Sequence, residues 1–172
     1  NDNQHAMLNV ITTSAHELNK LFNEIIDYIK IETGDREINL SKTNIKKLIS
    51  KLTSFYSINA ELKNISLVSY CDKNIPDFFW CDENKLSIIL TNLIDNAIKY
   101  TNKGQIELII YRNDNSNLCV DISDTGIGIP REYQAKLFTS FSQADMTYQK
   151  TYEGAGLGLA LVKSFTNINK AK

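Results

Sequence analysis

Leu8, Ile11, Ala15, Leu18, Phe22, Ile25 and Ile29 recur at alternating steps of three and four residues. That rhythm keeps one apolar stripe on a helix and predicts a heptad seam over three repeats. Leu21 and Ile26 widen the stripe, and Gly34 supplies a stop. A helix of this kind is not stable alone in water and must pack against another. Beyond it, Ile38 and Leu40 predict a short edge strand, with Ser41 or Thr43 able to cap the next helix. Ile45, Leu48, Ile49, Leu52, Phe55 and Tyr56 mark the buried face of that helix, which should end near Asn64. Ile65 to Tyr70 reads as a strand. Pro76 breaks the chain, and Phe78-Phe79-Trp80 should reach into the core. Asp82 with Lys85 opens a further helix, whose apolar face is Leu86, Ile89, Leu90, Leu93, Ile94 and Ala97. Asn102-Lys103-Gly104 is a turn signal. Strands from Gln105 to Arg112 and from Leu118 to Ser123 follow, joined by a turn over 113–117. A short helix carries Tyr133, Leu137, Phe138 and Phe141, and a last helix follows the glycines at 154–158.

Composition narrows the class without naming it. The 172 residues are enough for one domain with a proper core plus an extra element. A net charge of −1 offers no surface for nucleic acid or an anionic membrane. No apolar run approaches membrane-spanning length, and no signal peptide is visible. Cys71, Cys81 and Cys119 are odd in number and without metal-site spacing, so they read as reduced thiols of a cytoplasmic domain. The first residue is Asn1, which reads as part of a longer protein whose parent can be membrane-anchored.

Three polar stretches carry candidate chemistry. The strand at Leu118 ends on Asp124-Thr125-Gly126-Ile127-Gly128-Ile129-Pro130. Glycines let backbone approach a ligand closely. Asp124 can accept from a ligand amine, and Ile127 and Ile129 can cover a flat ring. On the preceding helix, Asn92, Asn96 and Lys99 are spaced by four and three and share one face. The Asn96 amide oxygen suits Mg²⁺, Lys99 brings positive charge, and Tyr100 can hydrogen-bond to phosphate or ribose. Gly154-Ala155-Gly156-Leu157-Gly158 opens a helix, where backbone N–H groups form an anion site. An ordinary turn, a solvated helix face or a flexible joint accounts for each stretch taken alone. The three in series do not fit that description.

Leu90-Thr91-Asn92-Leu93-Ile94-Asp95-Asn96-Ala97-Ile98-Lys99-Tyr100-Thr101, Asp121 to Pro130 and Glu153 to Leu161 resemble the N, G1 and G2 boxes of sensor histidine kinases. These kinases belong to the ATPase superfamily of gyrase B and the mismatch-repair ATPases. Leu137-Phe138-Thr139-Ser140-Phe141-Ser142-Gln143-Ala144-Asp145 resembles their F box, and the stretch to Glu153 their ATP lid. The resemblance covers residues 5 to 165. It implies an α+β fold: a two-layer α/β sandwich of the Bergerat type, with a mixed sheet, helices on one face and a long helix in front. It divides the chain into 1–34, the second helix of a dimerisation hairpin, and 35–172, the ATP-binding kinase domain.

The resemblance also implies the chemistry. ATP with Mg²⁺ would bind, and the γ-phosphoryl would pass to a histidine on an upstream dimerisation helix, in a homodimer that serves a response regulator or receiver domain. Catalysis falls to Asn92, Asn96 and Lys99, with Asn96 on the metal. Nucleotide contacts fall to these three, Tyr100, Asp124, Gly126, Ile127, Gly128, Ile129, Lys150 and Gly154-Ala155-Gly156-Leu157-Gly158. Phe138 and Phe141 belong to the lid region. Lys150 stands where the family often has arginine, and a lysine lacks the bidentate fork. Asn92 stands where gyrase-like members carry a glutamate base, which favours phosphoryl transfer over rapid hydrolysis. His16-Glu17-Leu18 resembles the start of the phospho-acceptor motif, but Asn19-Lys20-Leu21 departs from it, so an acceptor is expected upstream of this chain. The family adds a glycine turn and two strands where residues 164–172 end the sequence, which implies a sheet short of its last strands. The rival reading is a non-catalytic nucleotide- or partner-binding remnant of such a kinase.

Overall fold

The computed structural model describes residues 2–33, 37–114, 117–140 and 156–168. Helix α1 spans Asp2–Glu32, as the three-four rhythm predicts. Strand β1 is Ser41–Asn44, not the Ile38–Leu40 stretch. Its partner is β3, Phe78–Cys81, paired antiparallel with Lys42 opposite Trp80 and Thr43 opposite Phe79. Alternation across this ribbon decides which side chains go inside. Thr43 is buried and Phe79 packs on the core, whereas Phe78 and Trp80 face out. Only one of the three aromatic residues therefore reaches the interior. The Lys42 ammonium sits 4.6 Å from the Phe78 ring centroid and covers it.

Helix α2, Ile45–Leu62, is capped by Asn44, whose side chain accepts from the Lys47 amide; neither Ser41 nor Thr43 takes that place. Ile45, Leu48, Ile49, Tyr56 and Ala60 are buried and Leu52 packs beside them, but Phe55 is exposed, one position round the helix from the buried face. Asn64 then takes a φ of 56°, a left-handed turn that asparagine tolerates, and sends the chain into β2, Ile65–Cys71.

Helix α3, Glu83–Tyr100, starts at Asp82, whose carboxylate accepts from the amides of Lys85 and Asn39. Burial of Asp82 works against its charge. Those amides and the nearby Lys85 ammonium outweigh burial and hold the carboxyl below its ordinary range. Strands β4, Gly104–Arg112, and β5, Leu118–Asp124, complete a mixed sheet of order β2-β4-β5, with β2 parallel and β5 antiparallel to β4. The crossover from β2 to β4 runs through β3 and α3, the length of connection that a parallel pair needs.

One face of this sheet is covered. Ile106, Leu108 and Ile110 are fully buried against α2 and α3, each stabilising the fold by about 2 kcal/mol. Tyr70 and Ile109, on the other face, are exposed. A second apolar cluster joins α3 to α5, Gly158–Ile168, through Ile89, Leu161, Val162 and Phe165, with Tyr28 of α1 packed on it. The short α4, Arg131–Gln134, follows Pro130. Among the described residues, no helix is long and apolar enough to cross a membrane.

Candidate functional site

Helix α3 is the spine of the site. Its amphipathic spacing buries Leu90, Ile94, Ala97 and Ile98, and leaves Asn96 and Lys99 half-buried on the polar face. Asn92 sits deeper than an open phosphate-facing position. It is buried, and its Nδ2 donates to the Ile88 carbonyl one turn back at 2.9 Å. Its Oδ1 looks at Gly158, where an added Cβ would lie 2.5 Å away. Glycine at 158 thus lets the first turn of α5 approach the middle of α3. Leu157, just before that turn, is fully buried, and Gly156 takes a φ of 68°, which glycine adopts without strain.

The other end of α3 holds the Asp124 loop. Asp124 lies at the end of β5 opposite Ile106, and it is exposed. Both described hydrogen bonds to its carboxylate fall on Oδ1. One comes from the Gly126 amide at 2.8 Å and one from the Thr101 hydroxyl at 3.5 Å. The Ile127 amide donates to the Tyr100 carbonyl at 3.2 Å. At Gly126 a Cβ would meet that same carbonyl at 2.5 Å, so the loop can lie this close to α3 only with glycine there. Thr125 ties the loop back to β4, exchanging hydrogen bonds with the Gln105 backbone. Ile127 and Ile129 are left exposed, as a surface that covers a ligand ring would be. Gly128 takes a φ of 69° with open space around it.

Two residues to which sequence reasoning assigned no site role border this region. Thr101 is fully buried and places its hydroxyl on Asp124; its signal was there, a polar residue directly after the helix. Tyr56 is the second. Its hydroxyl is hydrogen-bonded to Asp95 and Thr91 of α3, beside Asn96. Burial first, and then the Asp95 charge, push the Tyr56 hydroxyl well above its ordinary range, so it stays protonated and able to donate. Lys99 lies 5.1 Å from the centroid of the Tyr100 ring. Phe138 is exposed in the turns after α4. Phe141, Lys150, Gly154 and Ala155 lie outside the described residues. His16 falls within α1, far along the sequence from these elements.

The geometry brings together three of the stretches that the sequence singled out. A family model described as histidine kinase-, DNA gyrase B-, and HSP90-like ATPase matches residues 81–170. Hybrid signal transduction histidine kinase L of Dictyostelium discoideum is 35% identical over 169 residues, covering 96% of this chain and 10% of the relative. Signal transduction histidine-protein kinase BarA of Escherichia coli K12 is 32% identical over 168 residues, covering 95% and 18%. The chain therefore spans less than a fifth of the length of these relatives. The crystal structure of full-length ShkA in complex with AMPPNP superposes with a TM-score of 0.82 at 26% identity, over 96% of this chain and 34% of that one.

Proposed function

Since the chain belongs to the histidine kinase-, DNA gyrase B-, and HSP90-like ATPase family, as the ATPase domain of a sensor histidine kinase, we propose that it binds Mg-ATP and transfers the γ-phosphoryl to a histidine of a dimerisation helix. One observation carries this reading. Helix α3 meets the Asp124 loop at its C-terminal end and the Gly158 turn at its middle. From Asn92 to Thr101 the helix rises about 14 Å. An elongated ligand with a base at one end and phosphates at the other matches that arrangement. The AMPPNP bound to ShkA, similar over most of this chain, supports the same assignment.

In this reading each residue has a definite task. Asp124 keeps Oδ2 to accept from the adenine amine, while Ile127 and Ile129 cover the ring. Gly126 and Gly128 allow the loop to come close. The amides of the glycine-rich stretch 154–158, which precedes α5 in the sequence, meet the phosphates. Lys99 adds positive charge, Tyr100 hydrogen-bonds to phosphate or ribose, and Lys150 supports the phosphates as a point charge. Asn92 holds the α5 turn against α3, and Phe138 and Phe141 anchor the lid.

Among the described residues, no group of three or more His, Cys, Asp or Glu could hold a metal ion. The donor chemistry nevertheless suits Mg²⁺, which keeps water and phosphate oxygens and needs one amide oxygen, that of Asn96. When bound, the ion would neutralise phosphate charge. Transfer then rests on positioning more than on covalent help from the protein. Asn92 cannot act as a general base for water, so transfer to histidine is favoured over hydrolysis.

The test is phosphohistidine formation in a protein that includes an upstream helix with its own histidine. Acid-labile label from γ-labelled ATP should appear on that histidine, and should persist in His16→Gln. Label that vanishes with His16→Gln would place the acceptor on α1 instead. No label with intact ATP binding would favour the nucleotide-binding remnant.

The partner side of the proposal rests on α1. Leu8, Ile11, Leu18, Phe22, Ile25 and Ile29 are all exposed along one seam. A second copy and the acceptor-bearing helix would cover it, and a response regulator or receiver domain would take the phosphoryl group onward. The 172-residue chain should self-associate weakly through this seam. Leu18→Glu with Ile25→Glu should give a clean monomer in sedimentation velocity. A monomer at high concentration before the change refutes the seam.

A further inference from the structure

A helix leaves its last four carbonyls without partners inside the helix. At the C-terminal end of α3 each of the four has a donor, and only one of these is the local backbone. The Thr101 amide donates to the Ala97 carbonyl at 3.0 Å. The Ile127 amide, from the Asp124 loop, donates to the Tyr100 carbonyl at 3.2 Å. The two between, of Ile98 and Lys99, both accept from the ammonium of Lys63, at 2.8 Å and 3.3 Å.

Lys63 is not part of α3 or of any loop around the site. It is the residue that ends α2, where its own amide reaches back to the Ala60 and Glu61 carbonyls. It is half-buried, so its charge is less screened than that of a surface lysine. It also lies at the negative end of the α3 dipole, where a cation is favoured. The site follows immediately in the chain. Lys99 carries one of the two carbonyls that Lys63 holds. The next carbonyl, of Tyr100, receives the Asp124 loop, and the next side chain, of Thr101, donates to Asp124 Oδ1.

We propose that Lys63 is a positioning residue for base recognition, fixing the α3 terminus on which the Asp124 loop is seated. The inference rests on the reading of Asp124 as the adenine acceptor. Without the lysine, the Ile98 and Lys99 carbonyls turn toward other donors and the last turn of α3 loosens. The Tyr100 carbonyl and the Thr101 hydroxyl then no longer hold the loop in one place. The loss falls on selection among bases, because every nucleoside triphosphate shares the phosphate contacts but only adenine uses Asp124.

The experiment compares ATP and GTP affinity by calorimetric titration of the 172-residue chain in Mg²⁺, for wild type, Lys63→Met, Lys63→Gln, Lys63→Arg and Asp124→Asn. Lys63→Met should weaken ATP binding roughly tenfold and reduce the ATP-over-GTP ratio by the same factor. Lys63→Gln, with a shorter neutral donor, should fall between, and it serves alone if the methionine variant does not fold. Lys63→Arg, which keeps charge and donors, should restore the ratio. A general loss of stability would weaken both nucleotides equally and leave the ratio alone. A ratio lost in Asp124→Asn but unchanged in both neutral Lys63 variants overturns this inference alone. A wild-type chain with no preference for ATP, or a preference that survives Asp124→Asn, overturns the base site and this inference with it.

Discussion

Asp124→Asn should lower ATP affinity about a hundredfold while leaving the fold intact. The substitution is nearly isosteric. Asparagine can keep its oxygen where Oδ1 accepts from the Gly126 amide and the Thr101 hydroxyl, so the loop should keep its shape. What changes is the second position of the side chain. The carboxylate offers another acceptor there, whereas an amide nitrogen oriented to preserve the Oδ1 contacts offers a donor. Facing the amine of adenine, that is a donor against a donor. Hydrogen bonds to charged groups contribute about 1.5–3 kcal/mol, and roughly 1.4 kcal/mol is a factor of ten in affinity. The mismatch takes the effect to the upper end of that range. Calorimetric titration with ATP measures it, and a thermal melt shows whether the fold has been disturbed. Affinity within twofold of wild type, with an unchanged melt, would remove Asp124 from the site.

Much of this arrangement was legible in the sequence, for a physical reason. Period and punctuation are local properties. The three-four rhythm from Leu8 to Ile29, the strand alternation from Leu118 to Ile122, and the capping pair Asp82–Lys85 each state their element within a few residues. The structure places α1, β5 and the start of α3 accordingly. The motif words at Asn92–Thr101 and Asp124–Pro130 were also local, and the fold brings them into contact.

The rest depended on contacts that no local window contains. Ile38 and Leu40 look like a strand by themselves, but a strand needs a partner. The ladder with β3 runs through Ser41–Asn44 instead, and that register turns Thr43 in and Trp80 out. Asn44 caps α2 because β1 ends there, one residue after Thr43 and three after Ser41, the candidates that the sequence offered. Asn92 shows the same limit at the site. Its spacing from Asn96 and Lys99 puts it on the polar face, but only the packing of α5 shows that Gly158 covers it. Lys63 is the extreme case. Nothing in the 18 residues of α2 points to the end of another helix 35 residues further on.

Asn96→Ala should reduce phosphoryl transfer by two to three orders of magnitude in a protein that includes the acceptor-bearing helix, with little change in stability. Alanine is the strongest helix former, and position 96 lies in the interior of α3, so the helix should not suffer. Asn96 is only half-buried, so truncation opens no cavity in the main core. In the proposed mechanism the loss falls instead on the Asn96 amide oxygen that would hold Mg²⁺. Removing a single group that stabilises transition-state charge typically costs about 10²–10³ in rate. Asn92→Ala provides the contrast. That side chain is buried, donates to the Ile88 carbonyl, and faces the α5 turn at Gly158. Its loss should lower the melting temperature and loosen α5, because a buried contact between two helices goes with it. The two variants should therefore separate on two axes. Asn96→Ala loses label from γ-labelled ATP with a wild-type melt, and Asn92→Ala lowers the melt first. Asn96→Ala that autophosphorylates at the wild-type rate would take the metal away from Asn96. The same alanine that instead lowers the melt would make Asn96 a structural residue like its neighbour one turn earlier.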